Sequence, residues 1–300
     1  MTEIIKQTPY DYFETKRAIR KLCTQYPFLQ TTVIGRTAGG RDMPLIQIGR
    51  AEEYVLFTAA FHGSEHITIY LLLKFIEEIS DAIKNDTPLA GFNIRRIMTG
   101  RGILFAPVVN PDGVEISIHG FPKSGYSLET LRSICKGDHR KWNANQRGVD
   151  INHNFDADWV SLHRKERDAG IYGPAKTRFG GYKPESELET QALVKLCRTV
   201  RIRHALAFHS QGEVIYWNYG DKIPPRAQKM AEIMASSSGY ELDTPESIAT
   251  GGGFKDWFIK EFGRPGFTIE VGKGENPLPI ADYEAVYNRL REMLILSIAM

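Results

Sequence analysis

The chain has 300 residues, of which 42% are hydrophobic and 25% are charged, a balance typical of a soluble globular protein. Its net charge of +2 argues against nucleic acid or a membrane surface as a partner. Cys23, Cys135 and Cys197 are too widely spaced for a disulfide framework, and we find no signal-peptide pattern and no run long enough to span a membrane. These features predict a cytoplasmic protein with reduced thiols.

Apolar runs of strand length alternate with helical patterns along the chain. The predicted strands are 53–61, 102–109, 204–210 and 266–271, and the predicted helices are 67–84, 185–201, 224–239 and 282–300. Ser186 and Glu189 have the spacing of a capping box that would open the second helix. The alternation predicts an α/β fold in one domain, with a mostly parallel or mixed sheet flanked by helices.

A polar residue lies at or just beyond the carboxyl end of each predicted strand. These residues are His62, Asn110, His209 and Glu270. Because ligand sites of open α/β sheets form at the carboxyl ends of the strands, we expect a functional site at this edge.

His62 and Glu65 are separated by only two residues, at the point where the first strand gives way to a helix. A catalytic zinc site commonly has three protein ligands, and a sharp turn at Gly63 would let both side chains reach one ion. His209 is the candidate for the third ligand. The alternative is an ordinary helix start, where Glu65 is favoured by the helix dipole and His62 lies at the surface.

Two other histidines compete for the role of metal ligand. His66 is expected on the solvent side of the helix, and His204 begins its strand, which would place it at the opposite edge of the sheet. Glu270 is a carboxylate within an apolar strand, where it is costly unless it is paired or functional. It is therefore either satisfied by an arginine or by backbone donors, or it is a general base that acts on a metal-bound water.

Five ordered motifs resemble the zinc carboxypeptidases of the carboxypeptidase A type. They are HGSE (62–65), NPDGVE (110–115), RGVDINHNF (147–155), FHS (208–210) and FTIEVG (267–272), and the segment 33–49 resembles the first strands of that family. The resemblance covers nearly the whole chain. It implies an eight-stranded mixed, mostly parallel sheet.

The resemblance also implies roles for particular residues. His62, Glu65 and His209 would hold one Zn²⁺ per chain, and Glu270 would take a proton from the activated water and return it to the departing amine. Arg147 would polarise the scissile carbonyl and stabilise the oxyanion. The alternative for Arg147 is a loop arginine that pairs with Asp150.

Three substitutions depart from the pattern of ordinary carboxypeptidases. Asn152–His153 stands where an Asn-Arg pair clamps the terminal carboxylate of the substrate, and histidine lacks the bidentate fork of arginine. Ile248 stands where a tyrosine caps the substrate. Lys255 lies at the expected floor of the specificity pocket, and Gly252 in the same stretch is a further candidate substrate-binding residue.

These departures resemble one branch of the family, the γ-D-glutamyl-L-diamino acid endopeptidases. The resemblance implies hydrolysis of the bond between γ-D-Glu and meso-diaminopimelate in murein-derived peptides. Lys255 would contact one of the carboxylates of such a peptide, or it is a lysine on a helix surface. We expect residues 1–300 to form a single catalytic domain without LysM wall-binding modules.

Three other functions fit parts of the pattern. An ordinary carboxypeptidase would release C-terminal residues, and the substitution at His153 argues against it. A zinc deacylase of small N-acyl amino acids uses a similar ligand set, but the loops at 110–113 and 148–152 fit the peptidases better. A non-catalytic sensor of wall peptides would have no use for Glu270.

Overall fold

The apolar runs form the strands of one sheet in the computed structural model, which describes residues 3–121 and 128–300. The strands are β1 (Gln30–Arg36), β2 (Asp42–Ile48), β3 (Tyr54–Ala59), β4 (Gly102–Ala106), β5 (Ile202–His209), β6 (Val214–Tyr216), β7 (Glu241–Asp243) and β8 (Gly266–Glu270). The α-helices are α1 (Tyr12–Gln25), α2 (Ile67–Asn85), α3 (Ile94–Ile97), α4 (Pro111–His119), α5 (Leu128–Cys135), α6 (Trp159–Asp168), α7 (Leu188–Thr199), α8 (Ala227–Ser238), α9 (Phe254–Phe262) and α10 (Tyr283–Ala299).

The sheet has the strand order β1-β2-β4-β3-β5-β8-β6-β7. The central strands β4, β3, β5 and β8 are parallel, while β2 and β6 run antiparallel to the neighbours that join them to this centre. The predicted α/β fold with a mixed, mostly parallel sheet of eight strands is confirmed.

Helices cover both faces of the sheet, so the central strands are buried on both sides. On β3, Val55 and Phe57 pack into one hydrophobic cluster with α2 and α10, while Leu56 packs into a second cluster with α7 and α9. Two-sided burial explains why these strands are continuous apolar runs without alternation. Of the residues that the structure describes, no helix is long and apolar enough to cross a membrane.

The capping box predicted at the start of the second helix is wrong. Helix α7 has Glu187 as its N-cap, and neither Ser186 nor Glu189 caps it. The side chain of Ser186 bonds instead to Glu187, and Glu189 is buried at 1% exposure. The spacing of a capping box does not depend on whether the glutamate faces the helix end or the protein interior. Here Glu189 faces the interior.

The carboxyl ends of β3, β5 and β8 meet at one edge of the sheet. Residues 58 and 207 are register partners, as are His209 and Glu270, the last residues of β5 and β8. The turn after β3 carries His62 and Glu65 into α2. The topology thus places three separate parts of the chain at one edge, as the sequence predicted.

Candidate metal centre and substrate pocket

Three predicted ligands come together at this edge. One possible ligand atom from each of His62, Glu65 and His209 lies within 4.8 Å of the others. Nδ1 of His62 is 2.8 Å from one carboxylate oxygen of Glu65, and Nδ1 of His209 is 3.0 Å from the other. The carboxylate therefore lies between two imidazoles, with one oxygen toward each ring.

Close packing of the backbone fixes the turn that carries His62 and Glu65. A Cβ added at Gly63 would lie 2.2 Å from the carbonyl oxygen of Gly113, so this position has no room for a side chain. The N–H of Gly63 and the side-chain amide of Asn110 both donate to the carbonyl of Asn143. Asn110 therefore stabilises, from a buried position, the turn that carries His62 and Glu65. Gly63 allows the backbone of this turn to approach Gly113 closely.

Asp150 orients the ring of His62 through the nitrogen that does not face Glu65. Its Oδ1 lies 3.0 Å from Nε2 of His62, and its Oδ2 accepts hydrogen bonds from the backbone of Arg178 and the hydroxyl of Thr177. A carboxylate in this position fixes the ring orientation of a metal-binding histidine and raises its basicity. Asp150 lies within the quoted motif RGVDINHNF, but sequence reasoning considered it only as a partner of Arg147.

The electrostatics of the cluster favour a bound cation. Burial opposes ionisation of Glu65, but His62 and His209 outweigh it and lower the pKa of this carboxyl to about 2. Burial also disfavours a charged His62, yet Glu65 and Asp150 raise its pKa well above the ordinary value. The carboxylates of Glu65 and Asp150 therefore place negative charge on both sides of the His62 ring.

Glu270 is half-buried at the end of β8, directly across the strand pair from His209. Burial and the negative charge of Glu65 raise its pKa to about 8, while His62 opposes this rise. A carboxyl whose pKa is raised in this way has a high affinity for a proton, which suits a general base.

The residues present fit a zinc ion. Two imidazoles and one carboxylate are the donor types of a catalytic zinc site with three protein ligands. The contact from Asp150 to His62 supplies the outer carboxylate that such sites use to orient a histidine. His62, Glu65 and His209 would hold the ion.

The two competing histidines are buried elsewhere. His66 is 6% exposed and hydrogen bonds to the hydroxyl of Tyr283 at 2.6 Å, so the expectation that it is solvated is wrong. Burial lowers the pKa of His66 to about 4, which keeps the ring neutral. His204 lies near the start of β5 and contacts the carbonyl of Ser297, away from the ligand edge as expected.

Arg147 lies on the outer side of the loop that carries Asp150. Its side chain is 55% exposed, and its guanidinium pairs at 3.7 Å with Glu187, not with Asp150 as the alternative had it. It lines a cavity of about 230 Å³ with residues that include Phe179 and Tyr182. Among the described residues, no contact joins Arg147 to the three ligands, and its oxyanion role stays a prediction.

Asn152 and His153 end a short 3₁₀ turn, Ile151–His153, next to the metal centre. The side-chain oxygen of Asn152 accepts a hydrogen bond from the backbone N–H of Phe254. Gly252 packs against this turn so closely that an added Cβ would lie 2.6 Å from the carbonyl oxygen of His153. Gly252 therefore brings the 251–253 turn and the 151–153 turn into direct contact.

Lys255 is buried at 5% exposure, so the alternative of a helix-surface lysine is wrong. Its amino group forms an ion pair with Asp256 at 2.5 Å and donates to the carbonyl of Asn218. The positive charge that the sequence predicts at the floor of the specificity pocket is therefore partly neutralised by Asp256. Ile248 is half-buried in a separate 3₁₀ turn, Ser247–Ala249.

An α/β fold with a zinc-type ligand set at the carboxyl edge of its sheet defines a metallohydrolase. The family described as "Zinc carboxypeptidase" matches residues 15–292, and the chain belongs to it. It is a hydrolase of the zinc metallopeptidase type. The family predicted from the five motifs is confirmed, and membership implies a zinc cofactor.

The chain is similar to curated relatives over most of its length. It is 36% identical to "Gamma-D-glutamyl-L-diamino acid endopeptidase 1" of Lysinibacillus sphaericus, over 94% of this chain and 70% of that protein. This similarity agrees with the branch that the sequence motifs indicate.

Solved structures share the fold at low sequence identity. Thrombin activatable fibrinolysis inhibitor superposes with a TM-score of 0.76 at 17% identity, over 99% of this chain and 76% of that chain. Murein-tripeptide amidase MpaA of Escherichia coli O157 superposes with a TM-score of 0.53 at 22% identity, over 90% and 89%.

Proposed function

We propose that the protein hydrolyses the bond between γ-D-Glu and meso-diaminopimelate in murein-derived peptides, with zinc as its cofactor. The observation that carries the proposal is the convergence of His62, Glu65 and His209, with Glu270 beside them. Similarity to a relative named for γ-D-glutamyl-L-diamino acid cleavage supports the choice of bond. The cytoplasmic location predicted from the sequence belongs to this proposal, as does the single catalytic domain.

Different residues of the chain have different roles in the hydrolysis. Bound zinc would supply a Lewis acid that polarises the carbonyl and lowers the pKa of water. Glu270 takes the proton from the attacking water and delivers it to the nitrogen that departs, so the same carboxyl acts first as base and then as acid. Asp150 keeps His62 in the orientation that the site requires.

Substrate selection rests on Asn152, His153 and Lys255. The carbon that bears the departing amine of diaminopimelate also bears a carboxylate, and this group lies where ordinary carboxypeptidases bind a terminal carboxylate. Asn152 and His153 occupy that place in the sequence pattern. Lys255, whose charge Asp256 partly offsets, contacts another of the carboxylates of the peptide.

The test compares two peptides with zinc-loaded protein. One is L-Ala-γ-D-Glu-meso-diaminopimelate, and the other is a plain α-linked peptide with an ordinary C-terminal residue. Mass spectrometry should show L-Ala-D-Glu and free diaminopimelate from the first, with little release from the second. Preferential release of C-terminal residues from the plain peptide would establish an ordinary carboxypeptidase instead.

A further inference from the structure

A fully buried carboxylate lies behind the predicted substrate pocket. Glu166 on α6 is 0% exposed and accepts from three groups: Nδ1 of His153 at 2.8 Å, Nδ1 of His163 at 3.0 Å and the backbone N–H of Gly180 at 3.2 Å. A buried carboxylate is costly unless donors of this kind compensate it. Neither Glu166 nor His163 belongs to the metal-ligand set.

His153 uses only one of its two ring nitrogens to contact Glu166. Among the described residues, Nε2 of His153 has no hydrogen-bond partner, and the side chain keeps 8% of its surface exposed. Asn152 beside it uses its oxygen for Phe254, and its side-chain N–H groups have no partner in the described part of the chain. Two adjacent residues therefore each keep a polar group that a ligand can reach.

We propose that Glu166 is a positioning residue for substrate recognition. It orients His153 so that Nε2 donates a hydrogen bond to the carboxylate next to the departing amine. This inference rests on the proposed function, and it identifies what compensates for the arginine that stands at position 153 in ordinary carboxypeptidases. Glu166 acts through His153 and does not touch the substrate.

The chemistry of imidazole requires a partner of this kind. When Nδ1 carries its proton toward Glu166, Nε2 of a neutral ring is an acceptor and repels a carboxylate. Nε2 donates to a carboxylate in the form of the ring in which Nδ1 also donates, and Glu166, 2.8 Å away, is the acceptor that Nδ1 needs in this form. Replacement of Glu166 by glutamine would remove this carboxylate acceptor but leave the ring in place.

His163 provides a matched control. It lies three residues before Glu166 on the same face of α6, and its ring stacks on Trp159 at a centroid distance of 4.5 Å. Replacement of His163 by glutamine keeps a donor near Glu166 and leaves the contact between Glu166 and His153 intact. If Glu166 served only to hold α6 and the loop at Gly180 together, both substitutions would have similar effects.

The kinetic test uses Glu166→Gln and His163→Gln with two substrates. One is L-Ala-γ-D-Glu-meso-diaminopimelate, and the other carries a carboxamide in place of the carboxylate next to the departing amine. For the carboxylate substrate, Glu166→Gln should raise KM roughly ten- to hundredfold, the range expected for a lost charge-assisted hydrogen bond. Its kcat should change less than about threefold, because the lost contact serves binding.

The amide substrate and the control variant distinguish a role of Glu166 in substrate recognition from a role that is only structural. Glu166→Gln should have little further effect on KM for the amide, and His163→Gln should keep KM for the carboxylate substrate within about threefold of wild type. Equal losses in both variants, or equal losses on both substrates, would overturn the inference.

A binding readout separates this inference from the proposed reaction. The ¹⁵N resonances of the His153 ring, assigned by their loss in His153→Gln, should shift when meso-diaminopimelate is added to wild type but not when it is added to Glu166→Gln. If wild type cleaves neither peptide, the proposed function fails, and the resonances still decide the role of Glu166. The same shift in wild type and variant, or no shift in either, would overturn the inference.

Discussion

Glu189 should make the stability of the protein fall as the pH rises. Its carboxyl is 1% exposed in the first turn of α7, and burial, aided by the negative charges of Asp112 and Glu187, raises its pKa from 4.5 to about 8. Between these two values the folded state keeps the proton that the unfolded state has lost. The stabilising effect of the proton is therefore fully present below 4.5 and is lost as the pH rises through about 8.

The magnitude follows from the difference in bound protons. The free energy of unfolding should fall by about 1.4 kcal/mol for each pH unit within this window, or by about 3 kcal/mol over two units. Glu189→Gln is neutral at every pH and should lack this slope. Relative to wild type, the variant should therefore gain about 3 kcal/mol between about pH 5.5 and about pH 7.5.

Urea unfolding followed by tryptophan fluorescence measures this difference. The experiment is run in chelator, so that bound metal does not contribute to the free energy of unfolding. Glu232→Gln, at an exposed position on α8, is the control and should follow wild type at each pH. A Glu189→Gln variant whose stability runs parallel to wild type across the window would refute the reasoning.

Four further predictions concern the metal centre and the packing near it. Glu270→Gln should abolish turnover while elemental analysis still finds one zinc per chain; retained activity would refute the role of base. His209→Ala should lose both zinc and activity, whereas Asp150→Asn should keep the ligand set but weaken zinc affinity by roughly 10- to 100-fold in a chelator competition. Unchanged affinity in Asp150→Asn would show that the contact with His62 does not matter for binding. Gly252→Ala should destabilise the protein by about 1–3 kcal/mol in thermal unfolding, because its Cβ would lie 2.4 Å from Leu162; a wild-type melting temperature would contradict this.

The fold and the convergence of the three candidate ligands could be predicted from the sequence for a common reason. Strands buried on both faces are continuous apolar runs, and a polar residue at the end of such a run stands out against them. His209 and Glu270 are the clearest cases, since each closes an apolar strand and the parallel sheet brings the two ends together. The five ordered motifs then identified the family that the structure and the comparisons confirm.

The remaining contacts depend on which way a side chain faces, and no local pattern encodes that. Glu166 and His163 look like ordinary polar residues of an exposed helix, yet one is fully buried against His153. His66 follows the metal motif directly but turns into the core toward Tyr283. In each case the partner lies far away along the chain or on another element, so only the assembled fold decides the contact.

The position of β5 between β3 and β8 has a consequence for synthesis on the ribosome. A nascent chain that has just completed β4 already carries His62 and Glu65, but it lacks His209 and the strand that aligns it. Glu270 emerges later still, at the end of β8. Hydrolytic ability should therefore appear only after β8 has been synthesised, so nascent chains that end before this strand should be inactive.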